Sequence, residues 1–170
     1  PSASSAASDV YKRQNYKCLM PPNMYGPGDN YNLRNSHFFS ALLRKIHIAK
    51  TKNKKNIVLW GSGNAKRELM FVDDFADSVI FFMVKKIKEP FLNIGTGKSY
   101  SIKWFAEFLM KKIGVKLKIK YDRSKPDGMP KKCLDTSLAR KYGWRSKVNF
   151  DEGFYICLLY TSPSPRDGTS

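Results

Sequence analysis

Apolar positions along the chain alternate between two rhythms. Residues 16–20 (YKCLM) form a short apolar run between breakers and predict a buried strand. Phe38, Phe39, Leu42, Leu43 and Ile46 recur at helical spacing. They predict a helix capped at Asn35 or Ser36 and running to about Lys50. After the polar turn TKNKKN, residues 57–60 predict a strand, GSGNAK a turn, and residues 67–72 a second strand. Asp73 and Asp74 suit the first turn of a helix reaching about Lys86. EPFLNIGTG reads as a buried strand closed by two glycines. Ser101 caps a helix to about Ile113, with Trp104, Phe105, Phe108 and Leu109 inward. Residues 116–121 alternate like a strand, Asp135 starts a short helix to about Tyr142, and another helix begins at Phe150 and runs to about Ile156. The order β–loop–α–β–β–α–β–α–β–α–α predicts an α/β protein with some antiparallel pairing and no internal repeat.

One stretch follows neither rhythm. Residues 21–37 (PPNMYGPGDNYNLRNSH) are polar, glycine- and proline-rich and long. A loop of this length in a compact domain usually belongs to a site.

Composition narrows the classes. With 170 residues and 42% hydrophobic content, the chain is long and apolar enough for one domain with a core. No apolar run is long enough to cross a bilayer as a helix, so no membrane partner is expected. The start lacks the apolar core of a secretory signal. Cys18, Cys133 and Cys157 have no metal-like spacing; free thiols in a reducing, cytoplasmic compartment are the simplest reading. The net charge of +17 has two readings: nucleic-acid binding, or a lysine-rich chain with a pocket for a small anion. No RNP-like, helix-turn-helix or zinc-finger pattern is present, so the second is favoured and no nucleic-acid partner is expected. The Ser/Ala-rich residues 1–14 and Ser/Pro-rich residues 157–170 read as non-native flanks or as native disordered tails. The body is then residues 15–156.

Four features could carry chemistry. WGSGNAKRE places Trp60 and Arg67 on successive strand ends, as a base-stacking ring and phosphate-pairing guanidinium or as a hairpin with a core Trp and surface Arg. NIGTGKS is either a phosphate turn or a plain strand-to-helix turn, since it lacks the GxGxxG spacing. SKPDGMPKK puts Lys125, Asp127, Lys131 and Lys132 on a stiff loop that suits an anion or is simply solvated. His37 lies in the first turn of its helix, where it is either structural or an acid–base group.

Together, MPPNMYGPGDN, NSH, ALLRK, VLWGSGNAKRELMFVDD, NIGTG, SKPDGMPKKCLD and YGW resemble the GDP-L-fucose synthases, which are extended short-chain dehydrogenase/reductases. The resemblance covers about residues 15–156. It implies the last strands of a Rossmann-type reductase plus a small α/β substrate-binding domain. It implies NADPH as cofactor, a GDP-4-keto-6-deoxy sugar as substrate, and a homodimer in the full-length protein. Pro21, Pro22, Asn23 and Met24 fall where that family's backbone meets the nicotinamide. His37 matches the proposed general acid of the epimerisation and a cofactor contact. Phe38 and Leu42 match apolar residues of the guanine pocket, and Lys45 a nucleotide-binding arginine. Trp60 and Arg67 match the pair that holds GDP; Asp127 and Lys132 lie in the loop that closes over it.

Lys45 in place of Arg loses bidentate pairing. Pro22 stands where Thr is usual, and Gly28 where His is common. The family's glycine-rich cofactor loop, catalytic Ser, YxxxK pair and epimerisation Cys would all precede Asn15. The expectation is therefore a C-terminal, substrate-holding fragment that is inactive alone. The rival readings are a fragment of another nucleotide-sugar epimerase or 4,6-dehydratase, a non-catalytic basic nucleotide-binding module, and a basic RNA-binding protein.

Overall fold

The computed structural model describes residues 17–33 and 35–161, with side chains to residue 158. Among the described residues there are nine short strands: β1 (Cys18–Met20), β2 (Asn23–Tyr25), β3 (Asn56–Trp60), β4 (Lys66–Arg67), β5 (Leu69–Phe71), β6 (Phe91–Asn93), β7 (Tyr100–Ser101), β8 (Lys118–Asp122) and β9 (Lys131–Lys132). The same residues form five helices: α1 (Phe38–Thr51), α2 (Val72–Val84), α3 (Ile102–Ile113), α4 (Ser137–Lys141) and α5 (Phe150–Thr161). The α/β expectation holds.

Parallel pairing dominates. β1 pairs with β6, β2 with β5 and β3 with β8, each in parallel. β4 is the central strand of a three-stranded sheet, antiparallel to β7 and parallel to β9. Such crossovers bring together residues far apart in sequence.

Two apolar clusters hold these pieces. The larger joins α1, α3 and α5 over Tyr25, Leu42, Ile46, Phe71, Phe105 and Phe154. It is rich in rings: Tyr25, Phe39 and Phe105 all meet Phe150 at centroid distances of 5.3–5.5 Å. The smaller joins Met70, Phe82, Leu92, Ile94, Ala139 and Trp144 beneath the β1–β6 pair. Burial of each such side chain stabilises the fold by roughly 1.5–3 kcal/mol.

Local signals explain the best-read helices. The Ser101 hydroxyl accepts the Trp104 N–H at 3.0 Å, and left-handed Gly114 (φ 73°) ends α3. Asp73 and Asp74 sit in the first turn of α2, and the Lys17 ammonium donates to the carbonyls of Phe82, Met83 and Lys85 at its other end.

Several expectations change. The first strand begins at Cys18; residue 16 lies outside the described residues. The long connection contains a strand, β2, because β5 offers it a parallel edge. His37, not Asn35 or Ser36, is the N-cap of α1: its backbone is extended and its carbonyl accepts the Ala41 N–H at 3.0 Å. The strand expected at residues 67–72 is broken at Glu68 into β4 and β5, which lie in different sheets. Consequently β3 and β4 make no hairpin, and β3 pairs with β8 instead. The last helix runs on to Thr161, with Cys157 buried in the larger cluster.

Candidate functional site

The site starts from the end of β3. Trp60 is 65% exposed, an unusual position for so large a ring. Lys45, on the neighbouring face of α1, brings its ammonium 5.4 Å from the Trp60 ring centroid. The same ammonium donates to the Val58 carbonyl at 3.3 Å. Burial pushes the Lys45 pKa down.

The chain then turns through Gly61 and Gly63, both left-handed at φ 70° and 77°. This turn receives the loop between β8 and β9. The Asp127 carboxylate accepts the Ser62 N–H at 2.6 Å, and hydrogen bonds from the Ser62 side chain foremost, then from its backbone, hold the Asp127 pKa below the usual carboxylate range. A Cβ on Gly61 would lie 2.1 Å from Asp127 Oδ1, so only glycine admits so close an approach.

Arg67 grips the other side of the same loop. Its Nη1 donates to the carbonyls of Met129 at 2.7 Å and Lys66 at 2.8 Å, and Nη2 points at the Asp127 carbonyl at 3.5 Å. Lys132 sits on β9 directly opposite Arg67, with its side chain exposed. Lys45, Trp60, Asp127, Arg67 and Lys132 therefore form one linked set, although they arise from α1, three short strands and a loop. An exposed ring with one cation against it, linked through the loop to Arg67 and Lys132, is suited to a base joined to phosphates.

The remaining expected residues lie along the connection from β1 to α1. Pro21 and Pro22 follow the carboxyl end of β1, and Asn23 and Met24 are on β2, all half-buried. Ligands of α/β sheets bind beyond such carboxyl ends, so these four residues fit one edge of a dinucleotide. The His37 ring is exposed and makes no hydrogen bond to another described residue. Phe38 is half-buried against Phe105, at 5.5 Å between centroids. Leu42 is only 3% exposed and belongs to the core.

Two supports escaped the sequence reading. Glu68 is 1% exposed, yet its carboxylate accepts from Thr96 Oγ1 at 3.1 Å, Gly97 N at 2.8 Å and Leu134 N at 2.7 Å. It ties the NIGTG turn and the segment after β9 to the residue beside Arg67. Asp29 accepts the Ser40 hydroxyl and anchors the long connection to α1. The sequence signal for Glu68 was an acidic residue inside an apolar strand.

A separate cavity of about 330 Å³ lies beside Tyr25, Phe71, Tyr100, Lys147 and Phe150. None of the expected site residues lines it. Asp74 shapes one wall by accepting the backbone N–H groups of Lys147 and Val148 at 3.0–3.2 Å.

Comparison with known proteins follows the same lines. The profile of the NAD dependent epimerase/dehydratase family matches residues 3–95. The probable GDP-L-fucose synthase 1 of Oryza sativa subsp. japonica is 43% identical over 134 residues, which are 79% of this chain and 41% of that protein. The GDP-L-fucose synthase of Escherichia coli (strain K12) is 38% identical over 157 residues, covering 85% of this chain and 49% of that protein. The chain thus spans about half the length of the curated relatives it matches. Among solved structures, a GDP-mannoheptose C4 reductase from Campylobacter jejuni, with NADP bound, superposes with a TM-score of 0.76 at 27% identity. The match covers 92% of this chain and 52% of that one. The fold is that of Rossmann-type epimerases and reductases, in its C-terminal part.

Proposed function

The chain belongs to the NAD dependent epimerase/dehydratase family, and from that premise we propose that it is the substrate-holding, C-terminal part of an NADPH-dependent epimerase-reductase. The reaction is conversion of GDP-4-keto-6-deoxy-D-mannose to GDP-L-fucose. One observation carries this reading: Lys45, Trp60, the loop bearing Asp127, Arg67 and Lys132 on β9 are linked one to the next. The names of the relatives at 43% and 38% identity supply the nucleotide and the sugar.

In this reading the exposed face of Trp60 stacks on guanine. Arg67, Lys45 and Lys132 face the diphosphate. This grip on the remote GDP group orients the sugar for reaction. His37 is then the proton donor at the carbon next to the ketone, on the face opposite a base supplied by the upstream portion of the full-length protein. Pro21, Pro22, Asn23 and Met24, with His37, border the nicotinamide end. NADPH, when bound, supplies the hydride that reduces the ketone. Phe38 and Leu42 stiffen α1 behind the base. The proposal extends to a cytoplasmic setting, consistent with the free thiols of Cys18 and Cys133, and to a homodimer of the full-length protein.

Calorimetric titration of the chain with GDP, UDP and single-stranded RNA tests the reading. GDP binding preferred over UDP is the expected result. Salt-sensitive RNA binding with no preference for GDP would overturn it in favour of a basic RNA-binding protein.

A further inference from the structure

Part of the net charge of +17 is concentrated. Six lysines, Lys54, Lys55, Lys111, Lys116, Lys118 and Lys120, line one groove of about 1030 Å³ beside the β3–β8 pair. All six are exposed, and none of their ammonium groups makes an ion pair or hydrogen bond with another described residue. Glu107 in the same groove is already met by Lys103 at 3.7 Å. Attraction to the carboxyl end of α3 accounts for Lys111. It does not account for lysines on a strand. Like charges gathered in a groove repel one another, and their joint field attracts an acid.

The local sequence builds this edge. From Lys116 to Lys120, lysines alternate with Leu117 and Ile119, which pack against the larger apolar cluster. Among the described residues, β3 is the one strand that pairs with β8. Lys118 N donates to the Lys55 carbonyl at 3.0 Å, and Gly61 N donates to the Asp122 carbonyl at 2.9 Å. Lys118, Lys120 and Asp122 therefore turn their main chain toward β3. The N–H and C=O groups of Ile119 and Tyr121 face the open edge, and no described residue bonds to them. Met110 on α3, with Val115 and Leu117, gives the groove an apolar floor.

An open edge is a template for another strand, and charge decides which strand. A second copy of this chain would set lysines against lysines, the usual guard against edge-to-edge pairing. A phosphate polymer would meet the ammonium groups but carries no N–H for the Ile119 and Tyr121 carbonyls. No aromatic ring lines the groove to stack a nucleic-acid base. An extended acidic peptide meets every feature. Its carboxylates face the lysines, its main chain pairs with the edge, and its alternate apolar side chains cover the floor.

We propose that the open edge of β8 is a docking site for an acidic, extended segment of a partner protein, which adds as a third strand to the β3–β8 pair. None of the expected site residues lines this groove, so the proposal stands apart from the GDP-binding reading.

The test uses the whole 170-residue chain and a short fluorescent peptide of alternating glutamate and valine. Anisotropy should show binding that weakens about tenfold between about 50 and about 300 mM salt. The bound peptide should slow amide exchange at Ile119 and Tyr121 by about tenfold. A version N-methylated through its central residues keeps every carboxylate and loses its donors, and it should bind about tenfold more weakly. The double variant Lys118→Glu, Lys120→Glu should lose the acidic peptide by a similar factor and gain a lysine–valine counterpart. If that variant unfolds by circular dichroism, the N-methylated peptide and the exchange data on the parent chain still decide.

Equal binding of the N-methylated peptide overturns the proposal, because charge alone would then suffice. So does unchanged exchange at Ile119 and Tyr121 in the bound state. Displacement of the peptide by inorganic polyphosphate or single-stranded RNA at lower concentration than by unlabelled peptide also overturns it, in favour of a general polyanion site. Self-association that protects the same two amides would overturn it in favour of a second copy of the chain.

Discussion

Ser62 and Asp127 are 65 residues apart in sequence and Arg67 and Met129 are 62 apart, yet both pairs are hydrogen-bonded at 2.6–2.7 Å. At the other end of the site, His37 stands exposed at the start of α1, its ring without a partner among the described residues. In the proposed reading, the chain completes its nucleotide end from its own distant segments and supplies one side of the sugar end. Holding a substrate and transforming it would then be divided along the polypeptide, and the two tasks should fail independently.

The largest effect should come at the incomplete end. The chain alone is expected to show no NADPH oxidation with the keto sugar; measurable turnover would erase the contrast. Fused behind the upstream half of the Escherichia coli relative, it should recover turnover. His37→Gln in that fusion should then slow solvent-deuterium incorporation into the sugar by about 10²–10⁴-fold, the usual worth of a general acid. Unchanged incorporation removes His37 from the chemistry.

Next is the support beneath the complete end. Glu68→Ala removes the buried carboxylate that the part-buried donors of Thr96, Gly97 and Leu134 share. At about 1–3 kcal/mol per stranded group, a loss on the order of 3 kcal/mol in urea unfolding is expected. A loss under about 0.5 kcal/mol, the scale of ordinary surface changes, would mean those groups find other partners.

Arg67→Ala should weaken GDP binding about 10- to 100-fold by calorimetry, with little recovery in Arg67→Lys, because the planar fork is what spans two acceptors. Full recovery with lysine would reduce the residue to a bare charge.

The smallest effect concerns thiols. Cys18 is exposed on β1, at the incomplete end, and should react first with an aromatic disulfide. Cys157 is 1% exposed and burial pushes its thiol up to about 11. It should react last, at the rate of unfolding, and raising the pH from 7 to 9 should leave it mostly protonated and slow. Rapid labelling of Cys157 in the folded chain would count against a last helix packed into the core.

The legible parts were those fixed by nearby residues. The spacing of Phe39, Leu42, Leu43 and Ile46 announced α1, and Ser101 with Gly114 bounded α3. What stayed hidden depends on remote partners. β2 is three residues long and exists because Leu69–Phe71 lies beside it; no pattern within Asn23–Tyr25 reveals that. β9 has two residues and owes its place to β4. Trp60 and Arg67 looked like neighbours across a hairpin. They are joined instead through the loop at residues 123–130, a link that strand spacing could not foretell. The expected site positions came from resemblance in WGSGNAKRE and SKPDGMPKK, since periodicity alone could not separate a binding loop from a solvated one.

The approach of Asp127 to Gly61 also has an evolutionary side. A Cβ at position 61 would meet the carboxylate oxygen at 2.1 Å and the Asp127 Cα at 3.1 Å. Asp127 can mutate while Gly61 stays, at the cost of one hydrogen bond. Gly61 cannot be replaced first without driving the loop away. Lineages that lose this contact should therefore change residue 127 before residue 61, and a side chain at 61 should be found only where the acid has already gone.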